Sequence, residues 1–208
     1  MPRLKKIFAL MLIIFVGIFV TVHFPTSQKK ILYPFPYRAE IEQNAERYQV
    51  DEFLAVSVMK VESNFSEFAC SPSGACGLMQ LMPETAEWIA DCLDDEYYSA
   101  NEIYDCEKNI KFGIWYLAEL EAEFYGNDIL TLAAYNAGRG NVKGWMAEND
   151  WTKNFSDIDA IPYKETRNYV KRVLQCREKY NELYGSAFSG YKLLQLSELR
   201  FASLKFLY

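Results

Sequence analysis

Apolar positions recur at helical spacing along most of residues 38–184, and no run alternates long enough to make more than a small sheet. A first helix is expected over residues 38–48. A second spans 51–63, with Asp51 as its N-cap and Ala55, Val58, Met59 and Glu62 on one face. Residues 64–77 are rich in Ser, Pro and Gly and predict a loop. Pro83 opens a third helix over 83–92. After an acidic loop at 93–107, Ile110, Ile114, Leu117, Leu120 and Phe124 mark a long helix that Gly126 and Asn127 stop. A further helix at 128–136 runs into the glycine-rich turn at 136–141, and Ile161-Pro162 precedes a last helix at 164–184.

The N-terminal pattern is different. A basic flank (Arg3, Lys5, Lys6) precedes an unbroken apolar run from Ile7 to Val20, extended by residues 21–24 to roughly the 20 residues that span a bilayer. The flank predicts a cytoplasmic N-terminus and an uncleaved anchor, although Lys29 and Lys30 reduce the charge asymmetry. A cleaved signal peptide is the competing reading, but Val22-His23-Phe24-Pro25 is a poor cleavage site. Either way, residues from about 31 onward belong outside the cytoplasm. The expected organisation is a membrane segment at 1–24, an extended Pro-containing linker at 25–38, one domain at 39–185 and a tail at 186–208 that the pattern does not place.

Charge and composition narrow the chemistry. The net charge is −6, and residues 1–30 hold five basic side chains and none of the twenty-eight acidic ones. The exported portion is therefore strongly acidic, which argues against nucleic acid as a partner. His23, the single histidine, lies in the apolar run, so a His-based triad or a multi-histidine metal site is out of reach. Five cysteines without CxxC spacing argue against zinc. Outside the cytoplasm they can pair. Cys92 with Cys106 is the most natural pair, and Cys70 with Cys76 across the turn is also available.

Glu62 continues an apolar stripe, and a carboxylate there must find a partner, raise its pKa or do chemistry. On its own it would read as a frayed helix end. Three stretches change that reading together: Glu62-Ser63 followed by SPSGACGLMQLMP at 71–83, AYNAG at 134–138, and IPYKETRNYV at 161–170. Taken singly, Gln80 would be a satisfied core amide, Tyr135 and Asn136 a helix end, and Glu165 with Arg167 a solvated helix face.

In this order and spacing the three stretches resemble the catalytic domain of the soluble lytic transglycosylase family, over about residues 40–180. The resemblance implies a mainly α, lysozyme-like single domain, similar to goose-type lysozyme, which the apolar run at the start of the chain is expected to precede as an N-terminal transmembrane helix. It implies an enzyme that cuts peptidoglycan strands between N-acetylmuramic acid and N-acetylglucosamine, with no metal and no cofactor. Glu62 matches the catalytic acid/base. Ser71, Gln80, Met82, Tyr135 and Asn136 match positions lining the sugar cleft, with Tyr135 placed to orient the acid. Glu165, with Arg167, matches a helix bordering the cleft, in a substrate-binding or ion-pair role. Gly74, Gly77 and Gly138 are expected to shape the backbone. Ordinary glycosidases use two carboxylates, and these motifs supply one. Asp91, Asp94, Asp95 and Glu96 read as a solvated acidic run. The family's answer is attack by the substrate's own C6 hydroxyl, which closes a 1,6-anhydro ring. A muramidase using water and a glycan-binding scaffold without turnover are the alternatives.

Overall fold

The structure, a computed structural model, describes the backbone of residues 2–205 and the side chains of residues 6–185. The expected membrane segment starts at Met1 and the tail ends at Tyr208, so Met1 and residues 206–208 lie outside the described residues. In chain order the helices are α1 (Pro2–His23), α2 (Pro25–Ser27), α3 (Arg38–Tyr48), α4 (Glu52–Ser63), α5 (Pro83–Cys92), α6 (Cys106–Glu123), α7 (Asp128–Ala137), α8 (Arg139–Glu148) and α9 (Lys164–Lys205). Among the described residues pairing of the β type is confined to two isolated bridges, Cys70 with Cys76 and Cys76 with Leu81. The chain divides into two compact units, Tyr37–Glu178 and Met1–Pro36 with Lys179–Tyr208.

The larger unit is built around α4. The periodicity predicts one buried face, yet every residue from Phe53 to Met59 is buried. A helix apolar all round belongs in a core. Each fully buried Leu, Val or Met there contributes about 1.5–3 kcal/mol. Asp51 caps α4 by accepting from the Phe53 N–H at 2.8 Å. α3 packs on α4 and α6, α6 on α5 and α7, and α7 on α8. From α9, Tyr169, Val170 and Val173 close the core. Arg177 holds two helix N-termini at once: its Nε lies 2.5 Å from Asp51 and its Nη1 2.5 Å from Asp128. Acidic groups at those ends also suit the helix dipoles.

The loop between α4 and α5 is tightly made. Asn64 and Phe65 take left-handed conformations to end α4. Cys70 is disulfide-bonded to Cys76, while Cys92, Cys106 and Cys176 are free. The more natural-looking Cys92–Cys106 pair is therefore not formed; the tight 70–76 turn brings its own two sulfurs together instead. Gly77 has φ +81°. A Cβ there would lie 2.3 Å from Asn109 Nδ2, so only glycine permits the approach.

In the smaller unit α1 is one apolar helix, and Lys6–His23 is long and apolar enough to cross a membrane by length and composition. The expected extended linker is instead helical at its start. Pro25 sits in the first turn of α2, and Gln28–Leu32 continues as a π-helical turn. Residues 33–35 are fastened by aromatic side chains of α9. Tyr180 donates to the Pro34 carbonyl at 2.5 Å and Tyr184 to the Tyr33 carbonyl at 2.7 Å. Phe35 meets the Tyr180 and Tyr184 rings at 5.6 and 5.5 Å. The last helix, expected to stop at 184, runs on to Lys205.

Candidate active site

Glu62 lies in the last turn of α4, where the buried stretch meets the surface. As a residue it is half-buried, but its carboxyl is shielded enough from water that its pKa is raised from 4.5 to about 7. Desolvation is the main cause. A hydrogen-bond interaction with Tyr169 and the charge of Arg172 draw it partly back down. Both are contributed by α9. The Tyr169 hydroxyl is fully buried and makes no hydrogen bond of ordinary geometry among the described residues, so its pull on Glu62 acts through a loose contact.

Tyr135 sits beside Glu62 from α7. Burial, then the Glu62 charge, pushes its phenol well above the usual tyrosine range, so it stays neutral. Its hydroxyl donates to the Met79 carbonyl at 2.9 Å. The proton of Tyr135 is thus engaged by the main chain beside the acid, and a second hydroxyl, that of Tyr169, also acts on Glu62. Tyr169 is missed in the sequence because it shares a helical stripe with Val170 and Val173 and so reads as core.

Met79 is held from both sides. Its N–H donates to Asn109 Oδ1 at 2.7 Å, and Asn109 Nδ2 donates to the Cys76 and Ile103 carbonyls at 3.2 and 2.8 Å. Asn109 is buried in α6 and uses its amide fully on this loop. The available signal is spacing: Asn109 falls on the face of Phe112 and Gly113, where an apolar residue is expected. Gly113 allows the contact, since a Cβ there would lie 2.6 Å from Met79 Cβ.

The remaining candidates divide. Ser71 Oγ accepts from the Ala75 N–H at 3.0 Å and shapes the turn. Gln80, at φ 48°, spends both amide protons on the Ala69 and Gly77 carbonyls at 3.0 and 2.9 Å. Asn136 Oδ1 accepts from the buried Thr166 hydroxyl at 2.9 Å, tying α7 to α9. Met82 is exposed at the start of α5. Glu165 is exposed and makes no ion pair among the described residues, and Arg167 instead donates to the Ile161 and Pro162 carbonyls. An ion pair between Glu165 and Arg167 is thus not the arrangement. Gly74, Gly77 and Gly138 all have φ between +81° and +93°, as their shaping role requires.

Fold and site together define a mainly helical, lysozyme-like domain of the lytic transglycosylase type. Residues 39–158 match the family model described as Transglycosylase SLT domain, and the chain belongs to that family. It is 32% identical over 155 residues to the soluble lytic murein transglycosylase of Escherichia coli K12, covering 74% of this chain and 24% of the relative. It is 31% identical over 169 residues to membrane-bound lytic murein transglycosylase C of Actinobacillus pleuropneumoniae, covering 69% and 45%. Among solved structures, an inactive mutant of the lytic transglycosylase Slt of Pseudomonas aeruginosa superposes with a TM-score of 0.67 at 31% identity, over 75% of this chain and 25% of that one. The chain thus spans about a quarter to under half the length of these relatives.

Proposed function

We propose that this chain is a peptidoglycan lytic transglycosylase, with Glu62 as its single acid/base. The observation that carries the reading is the Glu62 carboxyl, whose pKa is raised to about 7 by burial. Such a group is about half protonated near neutrality, far more than an ordinary glutamate, and gains a proton as readily as it loses one. It protonates the glycosidic oxygen between N-acetylmuramic acid and N-acetylglucosamine. As a carboxylate it then takes the proton from the muramoyl C6 hydroxyl as that oxygen attacks C1, leaving a 1,6-anhydromuramoyl end. Among the described residues the groups that shift Glu62 are Tyr169 and Arg172, and neither is a second carboxylate. Intramolecular attack needs none, and it has a large effective-concentration advantage over water. Ser71, Gln80, Met82, Tyr135, Asn136 and Glu165 are assigned to the glycan cleft on the family motifs they occupy. The names of the relatives, soluble and membrane-bound lytic murein transglycosylases, favour the same substrate.

The domain is placed outside the cytoplasm, held by α1 as a single membrane-spanning helix. Its basic flank and lack of a good cleavage site support an anchor over a secreted form.

Mass spectrometry of a digest of purified peptidoglycan tests the chemistry. Anhydromuramoyl ends, lighter by one water and resistant to borohydride, are expected. Reducing muramic acid ends would make the chain a hydrolase. Glu62→Gln is expected to lower fragment release by at least ~10²-fold; activity within about tenfold of wild type would remove Glu62 from the role.

A further inference from the structure

From Tyr135 a line of ring contacts runs through α6 to α5. Tyr135 meets Tyr116 of α6 at 5.5 Å, Tyr116 meets Trp88 of α5 at 6.1 Å, and Trp88 meets Trp115 at 5.4 Å. Trp88 remains 38% exposed. The Arg139 guanidinium lies over its ring, 5.6 Å from the centroid. Arg139 Nη2 also pairs with Glu123 Oε2 at 2.6 Å, and Lys143 pairs with the other oxygen of the same carboxylate.

Two cations therefore share one anion. The Glu123 side chain is only 14% exposed, whereas those of Arg139 and Lys143 are 44% and 58% exposed. The carboxylate works inward as a fixed post, and the excess positive charge faces solvent. α8 adds to it, because Arg139 opens a helix with no side-chain cap and no acid in its first turn. This positive spot stands on a chain with a net charge of −6.

An exposed indole beside a pre-oriented guanidinium suits a ligand with an apolar face and a carboxylate. A guanidinium fork can donate two parallel hydrogen bonds to a carboxylate, and Glu123 holds the fork in place. We propose that Trp88, Arg139 and Lys143 form a subsite for the carboxylate-bearing peptide stem of the glycan. The stem's carboxylate pairs with Arg139 and Lys143, and its apolar part or the adjoining sugar face lies on Trp88. This deepens the reading of Glu62 as a peptidoglycan-cleaving acid and rests on it for the identity of the ligand.

The test measures binding separately from turnover. The full chain carrying Glu62→Gln, in detergent, is titrated calorimetrically with two probes: glycan chains bearing peptide stems, and the same chains stripped of stems by an amidase, with the lactyl carboxylates this exposes capped as methylamides. Adding Arg139→Ala is expected to weaken binding of stem-bearing chains about tenfold. Binding of stripped chains is expected to stay within about twofold, which also reports that the domain is folded. Adding Lys143→Ala as well is expected to deepen the selective loss. An equal loss on both probes, or none on either, overturns the subsite. Selective binding by a chain that releases no fragments with Glu62 intact would sink the cleavage reading alone. Cleavage with no stem selectivity at Arg139 would sink this one alone.

Discussion

At the scale of the residue, Glu62 couples what the site does to what the fold costs. Its folded pKa, about 7, lies above the ordinary 4.5. Below about 4.5 both folded and unfolded chains hold the proton, and the buried carboxyl costs nothing in charge. As pH rises toward 7 the unfolded chain ionises first, and stability is lost through that window. The loss is on the order of 3 kcal/mol by about pH 8. Glu62→Gln, which never ionises, is therefore expected to melt above wild type at about pH 8 and close to it at about pH 4. Glu121 titrates in the same window, raised to about 7 by desolvation and then by Asp128. The difference between variant and wild-type melting curves, not either curve alone, isolates Glu62. Tyr169 gives a second expectation. Its interaction lowers the Glu62 pKa. Tyr169→Phe should thus move the alkaline limb of the activity profile to higher pH; a limb that stays put would show that the hydroxyl does not act on the acid.

At the scale of the element, the loop before α5 and the middle of α6 are one device. Gly113→Ala separates two effects of opposite sign. Helix propensity alone would favour alanine by about 1 kcal/mol. A Cβ 2.6 Å from Met79 Cβ and Cγ instead forces the loop to move, at about 1–3 kcal/mol. Net destabilisation is expected in chemical denaturation, with a fall in activity because Met79 carries the Tyr135 hydroxyl. Removing the Cys70–Cys76 bond by paired alanines is expected to cost about 2 kcal/mol in the same measurement. Most of the helices are legible in the sequence because their apolar periodicity, caps and stops agree; α8 is not, because its start is rich in glycine and reads as a turn. The burial of Glu62 is legible because it continues an apolar stripe. Asn109 is not, since its partners are main-chain groups of Cys76, Met79 and Ile103. Hydrogen bonds to the main chain leave no mark on the residues that supply it. The positions of Gln80 and Ser71 are legible from the motif, but their use in holding the turn is not.

At the scale of the whole molecule, the apolar N-terminal run can be read directly, because a bilayer-length segment needs no tertiary partner. Deleting residues 1–24 is expected to move the protein from the membrane fraction to the soluble one, and sequencing of the mature N-terminus should begin before residue 24. A start beyond it would show a cleaved leader. The stretch after α1 is harder. Three prolines suggest an extended tether. Only the tyrosines of α9, 146 and 151 positions further along the chain, reveal that residues 33 and 34 are tied down.

That fastening decides where a mechanical load would go. Tension on α1 travels along the chain through the π-helical turn and reaches residues 33 and 34 before it reaches α3. There Tyr180 and Tyr184 take hold of the main chain. Because both tyrosines belong to α9, a continuous helix from Lys164 to Lys205, part of the pull is shunted into that helix and bypasses the start of α3. On the proposed reading of α1 as a membrane anchor, this fastening gives the junction a strain relief. The junction next to α1 is braced by hydrogen bonds and edge-to-face rings.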